Sequence, residues 1–183
     1  ILHAMMMITN RLLPSVFATR SRTALFAKRA SHQLNIAFAL VKSEERESFA
    51  HLSSKPVTAL QGIGPKHAAE LETLGIETIE QLATYKFFHL ARAIDTLGAT
   101  EEPNGRLEDT ILNIDNGVDK AYEHMYLKDI LDAPVSALQG ISEEKGSVWK
   151  QLGCKTVQDL ANYKYARWAE AILTAAEFEQ QAN

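Results

Sequence analysis

The sequence predicts an all-α chain in which one helical unit occurs twice, the copies joined by an amphipathic helical connector. Three observations carry this reading. Residues 56–94 and 134–172 match without a gap at an offset of 78, with 17 of 39 positions identical, which marks an internal duplication. Each copy carries glycines where a helix has to end. Each also carries a threonine followed three residues later by a polar side chain, the pattern that opens a helix.

The elements follow in order. Pro56 and Pro134 suit a first helical turn, where no amide donor is needed. Gly62 and Gly140 end that short helix and permit a tight reversal. A second helix is expected over about 65–74 and 143–152. It stops at Gly75 and Gly153, placed as left-handed C′ residues, and Ile76 and Cys154 supply the apolar contact of a Schellman ending. Thr78 with Gln81, and Thr156 with Asp159, then cap a third helix. The aromatic stretch 85–89 bends into a fourth helix ending near Leu97, and its counterpart runs towards Phe178.

Between the copies, Pro103-Asn104-Gly105 mark a loop. Ile111, Ile114, Val118, Ala121, Tyr122, Met125 and Leu131 then fall mostly at three- and four-residue steps. That spacing predicts one or two amphipathic helices, with Gly117 as a break. The connector is acidic, since residues 95–133 hold ten acids and three bases.

Residues 1–43 differ in composition from everything after them. They carry six basic residues and no Asp or Glu, whereas residues 44–183 carry 13 basic and 23 acidic residues. An Arg-rich, Ser/Thr/Ala-rich, acid-free start has the composition of an organellar targeting peptide, with mitochondrion ahead of plastid, and the alternative is a flexible basic arm. The apolar stretch 34–41 is too short to span a bilayer. The expected divisions are thus 1–43 (targeting peptide or arm), 44–97 (first unit), 98–133 (loop and connector helix) and 134–183 (second unit with its terminal helix). Cys154 is the sole cysteine in the chain, so neither an internal disulfide nor a cysteine-rich metal site can form.

The run Leu60-Gln61-Gly62-Ile63-Gly64-Pro65-Lys66, the small Ala68 and Ala69, and Leu74-Gly75-Ile76 with Thr78 together resemble the helix-hairpin-helix family, especially its tandem members. The resemblance covers both matched blocks, 56–94 and 134–172. It implies that backbone amides around the two glycines approach a nucleic-acid phosphate, aided by the positive end of the following helix. Contacts of that kind are independent of base sequence. The first copy keeps this arrangement in Gly62, Ile63 and Gly64, with Lys66 and His67 beyond. The second copy replaces Gly64, Pro65 and Lys66 by Ser142, Glu143 and Glu144, and two carboxylates there would repel phosphate.

Charge points the other way. The first copy has three bases and four acids, the second five bases and four acids. Neither has the excess of Lys and Arg that drives non-specific nucleic-acid binding. The sequence therefore favours a non-catalytic adaptor in an organellar protein assembly, docking a protein partner through Trp149, Trp168, Tyr85 and Tyr163. Sequence-independent DNA or RNA binding through Gly62, Ile63, Gly64, Lys66 and His67 is the alternative.

The plainer readings stand beside these. Trp149 and Trp168 align with Leu71 and Leu90, so a larger core in the second copy explains them without any partner. Cys154 aligns with Ile76 and reads as a small buried apolar residue. His67, His89 and His124 lack metal-ligand spacing. The acid pairs Glu101-Glu102 and Glu108-Asp109 read as a solvated loop and a helix start. No phosphate loop or nucleophile elbow occurs in the sequence. No catalytic residue, metal or cofactor is therefore expected.

Overall fold

A computed structural model of the protein describes residues 34–102 and 109–180. The basic start up to residue 33 and the loop expected at Pro103-Asn104-Gly105 lie outside the described residues. Those described form helices and single turns, with isolated bridges and no extended strand. None of these helices is long and apolar enough to cross a membrane.

The described residues hold eight α-helices: α1 Phe49–Ser53, α2 Pro65–Thr73, α3 Ile79–Ala83, α4 Lys86–Gly98, α5 Leu127–Leu131, α6 Glu143–Gln151, α7 Val157–Ala161 and α8 Lys164–Ala176. Every helix of the first half recurs in the second at the offset of the sequence repeat, as do the 3-10 turns Val57–Ala59 and Val135–Ala137. Local chemistry accounts for the boundaries. The α2 helix ends with Gly75 N–H donating to Glu72 carbonyl (2.9 Å) and Ile76 N–H to Leu71 carbonyl (3.0 Å), both bonds of a Schellman ending. Gly153 and Cys154 repeat it on Lys150 and Trp149 (3.2 and 2.8 Å). Thr78 with Gln81, and Thr156 with Asp159, form complete capping boxes. Pro56 and Pro134 sit just before their 3-10 turns as cap residues.

The correspondence reaches further back than the matched blocks. Leu40 bridges to Leu60 and Val118 to Leu138. Val41 N–H donates to Ala59 carbonyl (2.9 Å), and Asp119 N–H to Ala137 carbonyl (2.8 Å). The α1 and α5 helices keep the same offset. The segment expected to be a connector is therefore the front of the second repeat. It does not form the amphipathic helix predicted over 111–131. Only the 3-10 turn Asp115–Gly117 and α5 are helical there, because Val118 is held in a bridge to Leu138. Of the spaced residues, Val118 and Leu131 are buried and Ile114, Tyr122 and Met125 pack against the core, whereas Ile111 is exposed.

The core also takes in residues before position 44. Leu40 is buried in the core, and the described residues from Asn35 onward form one compact body. Residues 35–43 thus pack with the folded body.

Packing is exchanged between the repeats. The long helix α8 of the second repeat lies on α1 and α3 of the first, and α4 of the first lies on α5 and α7 of the second. Side-chain caps follow the same exchange. Glu179, just past α8, accepts from Phe49 and Ala50 N–H (2.9 and 3.1 Å) at the start of α1. Glu101, just past α4, accepts from Leu127 N–H (2.7 Å) at the start of α5. A carboxylate there satisfies orphan donors and suits the positive helix end. Glu101 and Glu179 are themselves equivalent positions of the repeat, so the two halves relate by a pseudo-twofold axis. One hydrophobic core runs through both, from Leu40 and Phe88 to Trp149 and Ile172.

Candidate nucleic-acid interface

The reversal at Gly62-Ile63-Gly64 joins the first 3-10 turn to α2. Ile63 is buried and anchors it, and Ile63 N–H donates to Leu60 carbonyl (3.2 Å). Gly62 has φ +99°, a conformation that costs a residue with a Cβ about 1–2 kcal/mol. A Cβ there would also lie 2.6 Å from Tyr165 Oη. The fold itself therefore requires glycine at 62.

Gly64 is different. Its φ is −85°, open to any residue, and a Cβ there would meet nothing within 4 Å. Its counterpart Ser142 occupies the same cap position with φ −65°. Neither backbone nor packing explains the glycine. What its missing side chain leaves is a bare approach to the start of α2.

That start is open in one repeat and closed in the other. Ser142 Oγ accepts from Lys145 N–H (3.3 Å), and Glu143 and Glu144 stand in the first turn of α6. At α2 the cap residue is Gly64, no side chain accepts from the helix start, and no acid lies in the first turn. The Lys66 and His67 amides thus keep the orphan donors that every helix start presents. Lys66 is largely solvent-exposed, with Glu70 at 3.9 Å; His67 is half-buried.

The four aromatic residues expected to dock a partner fall elsewhere. Trp149 is fully buried and Tyr163 nearly so, while Tyr85 and Trp168 are half-buried. They form a run of ring contacts through the interior: Tyr85 to Trp149 (5.5 Å), Trp149 to Tyr163 (5.6 Å), Tyr163 to Tyr165 (5.3 Å) and Tyr165 to Trp168 (5.7 Å). Trp149 Nε1–H donates to Tyr85 Oη (3.4 Å), and burial pushes the Tyr85 and Tyr163 hydroxyl pKa values up. Trp149 and Tyr163 cannot form a docking face. The core reading of Trp149 holds, because exchange of α4 and α8 encloses the space between the repeats. Cys154 is buried too, and burial, with Asp159 nearby, raises its thiol pKa to about 12.

Comparison with known proteins adds one partial likeness. Over 114 residues the chain is 35% identical to DNA polymerase IV 1 of Mesorhizobium japonicum, an alignment that takes in 60% of this chain and 26% of the polymerase. The chain thus spans about a quarter of the length of that curated relative. No family model and no solved structure matches the chain.

Sequence reasoning missed the neighbours that the second repeat brings to the first reversal. Tyr165 abuts Gly62. From the same helix start, Lys164 Nζ lies over the Tyr165 and Trp168 rings (4.6 and 5.4 Å). Asn162, Lys164, Arg167 and Trp168 together line a shallow depression. The available signal was the unlike side chains of aligned positions: Arg167 and Trp168 stand where the first repeat has His89 and Leu90.

Proposed function

We propose that the protein binds nucleic acid without base-sequence preference, seating a backbone phosphate on the Gly62-Ile63-Gly64 reversal and the start of α2. The observation that carries this is Gly64, a glycine that the fold does not need, at a helix start that no side chain fills. Free amides and a helix N-terminus together make an anion site, and Lys66 adds a cation beside it. The resemblance to the helix-hairpin-helix family supports the same reading, as does partial likeness to a DNA polymerase. The acidic body, with 23 acids against 13 bases over residues 44–183, confines binding to this one face.

The test is salt-dependent retention on immobilised DNA or RNA. A Gly64→Glu, Lys66→Glu variant that folds normally is expected to lose retention, because it gives the first reversal the charge of the second. Equal retention of the variant and the parent chain would end the proposal.

A second reading is the organellar adaptor expected from sequence. It is favoured by the overall acidity and by exposed Leu97 and Phe178 at the ends of the two exchanged helices, in place of the buried aromatics. A partner recovered from organelle extract equally with and without nuclease supports it. A partner lost on nuclease treatment supports the nucleic-acid reading.

A further inference from the structure

We infer that the nucleic-acid face is composite and one-sided: the first repeat supplies the phosphate cradle, the second supplies Lys164, Arg167 and Trp168, and the ligand is a single strand. This rests on the function proposed above and specifies its ligand. The pseudo-twofold axis places two candidate faces on the molecule, each a reversal of one repeat against the long helix of the other. Tyr165 packs on Gly62, and at the equivalent place Phe87 packs on Gly140, 3.3 Å from a Cβ built there.

The two faces have diverged in both components. Around Gly62 the helix start is uncapped by side chains and free of acids; around Gly140 it is capped by Ser142 and carries Glu143 and Glu144. The first reversal faces Tyr165, with exposed Lys164 and Arg167 on the same helix end. The second faces Phe87, and Lys86 is its one exposed cation that matches. His89, the counterpart of Arg167, stands 3.8 Å from Glu170, and Leu90, the counterpart of Trp168, packs against Gly117. A duplex gripped symmetrically needs a phosphate site on both faces, and the second face opposes an anion.

The first face has the makings of a single-strand site. A half-buried tryptophan beside two cations offers a ring for a base and charges for the adjoining phosphates. Lys164, already over the Tyr165 and Trp168 rings, holds its charge at the edge of that aromatic surface. The cradle at Gly62 and Gly64 takes the next phosphate along the strand.

The test is fluorescence anisotropy of the full chain with labelled 20-nucleotide oligothymidylate, oligouridylate and a duplex of the same length, across about 50–200 mM salt. Both single strands are expected to bind more tightly than the duplex. Lys164→Glu with Arg167→Glu, at exposed positions, should weaken binding at least about tenfold and flatten the salt dependence by roughly two phosphate contacts. Lys86→Glu, at the equivalent place on the other face, should leave affinity unchanged. Tighter binding of duplex, or equal losses from Lys86→Glu and Lys164→Glu, overturns the one-sided site. Loss of binding in Gly64→Glu but not in the Lys164, Arg167 variant removes the composite site and leaves the cradle. Binding unaffected by Gly64→Glu removes the cradle itself.

Discussion

Arg92 and Glu170 hold the same position in the two repeats and pair with each other between α4 and α8. Equivalent residues meet only near a twofold axis, so this pair marks where the two halves cross. Had the copies stayed identical, like charges would face each other there. With Arg in one copy and Glu in the other the contact is complementary, an asymmetry that a single chain carrying both copies can hold.

Reversing that pair tests the exchange. Arg92→Glu sets two carboxylates together and is expected to lower stability by about 1 kcal/mol, since both side chains are part-exposed and their attraction is partly screened. For a domain of this size that corresponds to a fall of about 2–4 °C in Tm. Adding Glu170→Arg should restore most of it. A double-mutant cycle by thermal unfolding measures the coupling, and additive effects would contradict the pairing.

Alanine at the two glycines of the first reversal should separate folding from binding. Gly62→Ala adds positive-φ strain and a contact with Tyr165 Oη at 2.6 Å, so a loss of about 1–3 kcal/mol is expected. Tyr165→Phe removes the clashing oxygen and should make Gly62→Ala less costly. Gly64→Ala, with φ −85° and open space, should match the parent in denaturant unfolding. An equally damaging Gly64→Ala would show that the fold does need that glycine.

Alkaline pH should destabilise the fold. Cys154 has its thiol pKa raised from 9.0 to about 12, so above pH 9 the unfolded chain gives up a proton that the folded chain keeps. The contribution of this thiol is full below pH 9 and declines as pH rises towards 12. Buried Tyr163 and half-buried Tyr85 shift in the same direction. Cys154→Ala should lessen the slope that begins near pH 9. The folded protein should also resist thiol reagents at pH 8, measured by labelling with and without denaturant, because the thiolate is the reactive form.

The two tryptophans should report unlike surroundings. Trp149 is fully buried, and its N–H bonds to Tyr85, whereas Trp168 is half-buried. Trp168→Phe is expected to leave a blue-shifted emission from Trp149, and Trp149→Phe a redder one from Trp168. Trp149→Ala should cost about 3–5 kcal/mol through the cavity it opens. Similar emission maxima from the two single-tryptophan proteins would contradict this burial.

Much of the local structure was legible because its causes are local. Thr78 with Gln81, and Gly75 with Ile76, write their caps within a few residues, so the boundaries of α2 and α3 could be read directly. The front of the second repeat was harder. Between residues 35–55 and 113–133, Asn35, Ile36, Lys42 and Glu45 keep identical partners at the repeat offset, a trace too thin to outweigh the helical spacing of 111–131. The cradle residues Gly62 and Gly64 were legible as a motif. Lys164 and Arg167 were not, since nothing near them in the chain points to Gly62.

By itself the sequence determined that the chain is helical, that one pattern occurs twice, and where most turns and helix ends fall, because caps and reversals depend on neighbours a few bonds away. Tertiary structure decided that α4 and α8 change places, that Trp149 is enclosed rather than displayed, and that Tyr165 comes to rest on Gly62. Those outcomes depend on which apolar faces find each other between distant parts of the chain. Burial rewards every such pairing that excludes water, and only the folded chain selects one.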